Sequence, residues 1–135
     1  MADEKNSVRI ALSISSRGIP AEQKATYRAV QIAIKELQND EEIPVDIGLD
    51  VFDDEGDTEL TREYANEIVQ DESIVSVVGP LGSTEALVNT PIFNEAGIAQ
   101  ITPCASHQDL CHEDNNTFFR LIASEEVQEI GRAHV

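Results

Sequence analysis

Three places in this 135-residue chain carry residue types able to do chemistry. Cys104, His107, Cys111 and His112 gather metal-ligating types into one run, C-x₂-H-x₃-C-H. That spacing matches no common zinc pattern, and so short a loop rarely closes a tetrahedron around an ion. A Cys104–Cys111 disulfide bracing the loop is the better reading of the two thiols, and the pair alone does not fix the redox compartment. Asp50, Asp53, Asp54, Glu55 and Asp57 form a dense carboxylate group. Three of them are contiguous and no glutamate stands twelfth from Asp53, so they do not make a calcium loop. They read as a solvated strand end followed by a helix cap. The third place is Gly79-Pro80-Leu81-Gly82-Ser83-Thr84, a turn running into a helix. The free backbone N–H groups of such a helix start, with the Ser83 and Thr84 hydroxyls, suit an anion such as a carboxylate. The ordinary alternative is a capped helix with no ligand. The turn lacks the GxxxxGK[ST] spacing of a phosphate loop, and no GxGxxG follows the first strand. Outside the cysteine loop, no Ser/His/Asp or Cys/His pair falls at a strand end, and loop histidines are usually solvated. No enzyme chemistry, metal or cofactor is expected.

Twenty-six acidic against nine basic side chains give a formal charge of −17, with no local cluster of Lys or Arg. Such a surface repels phosphate backbones and anionic lipid heads, which excludes nucleic-acid and membrane-surface partners. The excess fits either a high-salt habitat or solubility and says nothing of a ligand. No apolar run approaches a membrane span, and Met1-Ala-Asp-Glu-Lys-Asn has no apolar signal core, so the chain as written carries no export address. A 41% apolar content is enough for one domain with an aliphatic core.

The elements that must position these residues alternate along the chain. Val8–Ser15 reads as a first strand, followed by a helix from Pro20 with Tyr27, Val30, Ile34 and Leu37 as its apolar stripe. Val45, Ile47, Leu49 and Val51 alternate with Asp46, Gly48 and Asp50, the period of an edge or near-edge strand with one wetter face. Asp57 or Thr58 caps a second helix whose buried stripe is Leu60, Tyr64, Ile68 and Val69. Ile74–Val78, almost free of polar residues, reads as a central strand covered on both faces. Ser83 is the expected N-cap of a third helix, with Glu85 in its first turn, Pro91 bending it and Gly97 ending it in a left-handed cap. Ala99–Thr102 is a short strand, 103–116 a polar loop, and Thr117–Ala123 a fifth strand, after which Ser124-Glu-Glu opens a fourth helix.

Strands separated by helical stretches imply right-handed crossovers, hence a three-layer, doubly wound, mostly parallel α/β sheet. Ligands bind such sheets beyond the C-terminal strand ends, where the strand order reverses. For a 2-1-3-4-5 order this directs attention to 13–18, 79–84 and 103–106.

The stretch VFDDEGDTELTREYANEIVQDESIVSVVGPLGSTEALVNTPIFNEAGIAQITPCAS, leading to TFFRLIAS, resembles the type I periplasmic binding proteins, in the leucine/isoleucine/valine-binding branch of ABC-transporter receptors. The carrying features are DDEGD before a helix, the VVGPLGS turn, the PIFNEAGI helix and ITPCAS, and the likeness extends from about Val8 to Glu129. The resemblance implies one lobe of a two-lobed clamp that closes on an extracytoplasmic solute, an amino acid or related small carboxylate, and delivers it to an ABC permease. It implies a parent that is periplasmic or extracellular. It also implies that Ser83 and the following helix start hold a ligand carboxylate, with Thr84 beside it. The Ala105 carbonyl and Ser106 hydroxyl would hold an α-ammonium group, and Ser16 would stand for the first-loop serine. The same clamp in a ligand-sensing ectodomain of a membrane receptor or kinase is the alternative. The chain departs from the family at Arg17, where glycine is common, and at Glu22-Gln23, where an aromatic and glycine are common. An apolar wall for a branched side chain is therefore not expected, and Arg17 could meet an acidic ligand group.

The lobe is expected over residues 7–129. Read back into codons, Ile130–Val135 (IGRAHV) gives ATC GGA AGA GCA CAC GTC, the start of a common short-read library adapter after its first AG. Those two bases complete a GAG codon for Glu129, and the adapter's next triplet is a stop. Residues 130–135 are accordingly expected to be adapter-derived, the alternative being a helix that runs on through the family's usual Gly-Arg-Ala stretch. A lone lobe is expected to bind weakly and to expose apolar surface that favours self-association.

Overall fold

The computed structural model describes residues 6–17 and 20–133. Strands β1 (Ser7–Ile14), β2 (Asp46–Asp53), β3 (Ile74–Val78), β4 (Ala99–Thr102) and β5 (Phe118–Arg120) pair in parallel in the order β2-β1-β3-β4-β5. The crossovers are the helices α1 (Pro20–Gln38), α2 (Thr58–Gln70) and α3 (Ser83–Ala96), and α4 (Glu125–Ala133) follows β5. The fold is the doubly wound α/β sheet expected from the alternation of elements, with its order reversing between β1 and β3.

Local chemistry explains most boundaries. Asp57 caps α2 by accepting from the Glu59 and Leu60 amides at 2.9 and 3.3 Å. Gly97, at φ 73°, ends α3 in the left-handed region. Helix α3 runs unbroken through Pro91. The fifth strand spans three residues rather than the expected seven: the Leu121 amide makes a last bond to the Thr102 carbonyl at 3.1 Å, and the chain then leaves the sheet with Leu121 75% exposed.

The core lies on the face covered by α2 and α3, where Ala11, Ala65, Ile68, Ile74, Val77 and Phe93 pack together. Phe52 and Tyr64 meet edge to face beside it at 5.4 Å. On the opposite face α1 packs against the sheet, burying Ile34 while Leu37, expected in its apolar stripe, stays exposed. Central placement of β3 is as expected, but its cover on both faces is not: Val75 is 49% exposed. Helix α4 continues through Ile130, Gly131 and Arg132 to Ala133, and His134 and Val135 lie outside the described residues.

Candidate functional site

The C-terminal ends of β1, β3 and β4 converge because the backbone between β3 and α3 passes unusually close to β1. Gly79 has φ 97°, and a Cβ there would overlap the Ser13 carbonyl oxygen, so only glycine fits. The Gly79 amide donates to the Ile101 carbonyl at 2.8 Å, tying the turn to β4. Two buried side chains of β4 fix it further. The Gln100 amide donates to the Gly79 carbonyl at 3.1 Å and to Asn89 Oδ1 at 2.9 Å, while its oxygen accepts from the Thr90 hydroxyl at 2.9 Å. The Thr102 hydroxyl donates to the Pro80 carbonyl at 2.6 Å and accepts from the Ala105 amide at 3.2 Å, joining the second and third loops.

On this platform Ser83 and Ser106 meet. The Ser106 and His107 amides both donate to Ser83 Oγ at 3.2 Å. Ser83 is therefore not the expected N-cap: α3 starts at Ser83, its N-cap is Gly82, and the hydroxyl that would have capped the helix is engaged by the β4 loop. Glu85 folds its carboxylate back against Gly82, at the positive end of the helix. A hydroxyl has one proton to give and two lone pairs to receive. With both lone pairs of Ser83 engaged, its proton is what remains for a ligand.

Ser106 has the opposite character. Its hydroxyl donates to Glu125 Oε1 at 3.0 Å, and the Glu125 amide returns a bond to the Ser106 carbonyl at 3.0 Å. Arg120 holds the same loop from below, one guanidinium nitrogen reaching the Ser106 and His107 carbonyls at 3.1 Å each. With its proton given to Glu125, the half-buried Ser106 oxygen is left as an acceptor. Ala105 is fully buried with its amide held by Thr102, so Ser106 is the open member of that expected pair. Thr84 lies exposed in the first turn of α3.

Ser16 stands apart from this group. Its amide donates to Asp53 Oδ1 at 2.9 Å, and Glu55 adds a second N–H at 3.0 Å. Against the opposing effect of partial burial, these N–H groups and the Ser16 hydroxyl hold the Asp53 carboxyl below its usual range. Ser16 borders a cleft of about 520 Å³ with Ile14, Pro20, Ala21, Gln23, Lys24 and Tyr27. The apolar part of its lining is Ile14, Pro20, Ala21 and Tyr27, while Gln23 turns inward and accepts from the Ser15 amide at 3.1 Å. The Arg17 stem lies beside Gly56, whose φ of 77° favours glycine. Gly18, at the end of this loop, lies outside the described residues.

The other two clusters differ from their expected arrangement. Asp54 is not solvated as expected but 1% exposed, accepting from the Gly56 amide and the Thr61 hydroxyl at 2.9 and 2.8 Å. Cys104 and Cys111 are free and exposed, and no group of three or more His, Cys, Asp or Glu among the described residues is placed to hold a metal ion. Burial, and then the charge of Glu22, push the Cys104 thiol up from its ordinary value, the reverse of nucleophile activation. Among the described residues no helix is long and apolar enough to cross a membrane.

Sequence reasoning missed Gln100, Thr102, Arg120 and Glu125. Polar residues at alternate positions of the short run AQIT were the available signal for the first two; nothing local marks Glu125 as a partner of a residue nineteen positions earlier.

Residues 25–133 match the model of a family described as the receptor family ligand binding region. No curated protein matches the chain. Among solved structures, an ABC transporter substrate-binding protein from Desulfitobacterium hafniense superposes with a TM-score of 0.80 at 21% identity, over 96% of this chain and 37% of that one. The branched-chain amino acid transporter substrate-binding protein LivJ from Streptococcus pneumoniae, in complex with isoleucine, does so at 0.78 and 19%, over 88% and 34%. The leucine-binding protein LivK from Thermotoga maritima gives 0.80 and 20%, over 93% and 35%. The chain thus spans little more than a third of the length of these structures, and the likeness at such identities establishes the fold. With the parallel 2-1-3-4-5 sheet and a family match over residues 25–133, the chain belongs to the receptor ligand-binding-region family, the type I periplasmic binding domains, and has the architecture of one lobe.

Proposed function

We propose that residues 7–129 are the first lobe of an extracytoplasmic solute-binding protein that captures an amino acid or related small carboxylate between two closing lobes and presents it to an ABC permease. The parent is periplasmic or extracellular, and the lobe acts by binding, without chemistry. One observation carries this reading: two neighbouring hydroxyls at the switch point have opposite hydrogen-bonding capacity, a free proton on Ser83 and a free lone pair on Ser106. A carboxylate needs the first and an ammonium the second, the two ends of an α-amino acid. Thr84, exposed in the first turn of α3, adds a hydroxyl to the carboxylate side. The cleft beside Ser16 offers an apolar surface for a side chain.

The test is calorimetry on the two-lobed protein with a panel of amino acids. Binding is lost in Ser83→Ala and in Ser106→Ala; unchanged affinity in both removes the site. The family description, which names receptors, favours one second reading: the same clamp as the sensory ectodomain of a membrane receptor or kinase. Sequencing the gene downstream separates them, since a membrane span after the second lobe belongs to the sensor and neighbouring permease and ATPase genes belong to the transporter.

A further inference from the structure

We propose that His107 is a titratable lock on this site: its neutral imidazole caps the short turn that holds Ser83, and protonation undoes the cap. The effect on binding rests on the reading of the lobe as a solute-binding site, whereas the lock itself does not. Gln108–Cys111 is a single 3₁₀ turn, and His107 is its N-cap, with Nδ1 accepting from the Asp109 amide at 3.2 Å. Side chains that cap helical turns are mostly Ser, Thr, Asn and Asp, which keep an acceptor atom across the neutral range. An imidazole has one only while it is neutral, and here the ring proton must then lie on Nε2. Once protonated, Nδ1 is a donor facing the Asp109 N–H, and the ring has to leave it. The Asp109 carboxylate, 3.9 Å from Nδ1, stands within ion-pair reach of the charged ring.

The turn cannot absorb this change at its far end, where Leu110 is buried among Ala86, Ala105 and Phe118. At the near end the His107 backbone carries contacts of the site. Its amide donates to Ser83 Oγ at 3.2 Å, and its carbonyl accepts from Arg120 at 3.1 Å and from the Leu110 amide at 3.3 Å. One of the two amides that engage Ser83 thus belongs to the residue whose side chain titrates. His107 is a positioning residue for Ser83, and acid loosens its hold. The titratable and charged groups around it are Asp109 and Cys111 in the turn, Cys104 before it, Glu85 in the first turn of α3, Arg120 of β5 and Glu125 of α4. Among the described residues, Asp109 is the one in ion-pair reach of the imidazole. His112 repeats the arrangement with Asp114, whose amide donates to its Nδ1 at 3.4 Å, but among the described residues it makes no bond to Ser83 or Ser106. It is the internal control.

The experiment is ¹⁵N NMR of the full chain from about pH 8 to about pH 5, reading both ring nitrogens of each histidine and the backbone amides. At the upper end His107 is expected in its Nε2–H form. As its ring protonates, the Asp109, His107 and Ser106 amides are expected to shift with the same midpoint, while the Asp114 amide follows His112 instead. His107→Asn, which keeps a cap acceptor that does not titrate, removes the shifts at positions 106, 107 and 109. His107→Ala, with no acceptor, holds them near their acid values throughout. The lock is overturned by an Nδ1–H ring at the upper end, by a ring that protonates with the Asp109 and His107 amides unmoved, or by shifts that persist in His107→Asn. In the two-lobed protein, calorimetry over the same range with the panel of amino acids reads the consequence. Affinity for the one bound best is expected to fall about fivefold on acidification, the usual worth of a lost cap, and to stay level in His107→Asn. Equal pH dependence in the two proteins breaks the link to binding. If no amino acid of the panel binds, the functional reading fails, and the NMR result decides the lock by itself.

Discussion

Two rows of side chains that cross all five strands differ in how they are covered. On the α2/α3 side, Asp50, Ala11, Val77, Gln100 and Phe118 stand in register, and the last four are at most 7% exposed. One residue further along, on the α1 side, Val51, Leu12, Val78, Ile101 and Phe119 form the matching row. There Leu12 is fully buried at the centre, but Val51, Ile101 and Phe119 are 44%, 37% and 53% exposed. Among the described residues, α2 and α3 pack side by side on the first face, whereas α1 covers only part of the second. Grooves remain on both flanks of α1, one lined by Leu49 and Val51 and the other by Val78, Ile101 and Leu121. The binding platform hangs from the well-covered face through Gln100, Thr102 and Gly79, so its geometry is fixed where the packing is best.

Breaking the covered face should therefore cost most. Phe93, fully buried among α2, α3 and the sheet, should lose about 3–5 kcal/mol on change to Ala, measured by denaturant unfolding. The half-exposed Phe119 on the other face should lose less than about 1 kcal/mol in the same change, and equal losses would erase the contrast between the faces. Gln100→Leu comes next, at about 2 kcal/mol or more, because it leaves the Gly79 carbonyl, Asn89 and Thr90 without their buried partner. It should also weaken ligand binding, through movement of the Gly79 turn.

The smallest effect concerns the periphery of the site. Asp53 has its carboxyl held below the usual range, so the folded state binds this proton less readily than the unfolded chain does. The contribution is full above the unfolded value near pH ~3.9 and is lost as pH falls through the lower folded value. Asp53→Asn should flatten the fall in unfolding midpoint below about pH 4, leaving the part due to Asp71, whose carboxyl the Ser73 hydroxyl and amide also hold low. An unaltered acid limb would mean that the Ser16 loop is not tied to Asp53.

Periodicity and punctuation made most of the fold legible. Asp57 and Gly97 each have one local physical cause and appear where that cause puts them, while the IVSVV run takes its expected central place but leaves Val75 half exposed. What could not be read locally depends on partners far along the chain. Ser83 has the sequence signature of an N-cap, yet two amides from the β4 loop, more than twenty residues away, engage its hydroxyl instead. Asp54 looks like one more solvated acid, yet Thr61 and the Gly56 amide draw it inside. The switch-point loops were legible because strand order alone predicts them. The division of donor and acceptor roles between Ser83 and Ser106 was not, because it depends on Glu125.

The central claim is that Ser83 and Ser106 receive the two ends of one small ligand, and amide NMR during titration with the panel of amino acids tests it most directly. A carboxylate that takes the Ser83 proton polarises the hydroxyl oxygen to which the Ser106 and His107 amides donate. The account predicts saturable shifts of those two amides with an amino acid that binds, with the α2 amides unmoved. Saturable shifts confined to residues flanking α1, with Ser106 and His107 still, would contradict it.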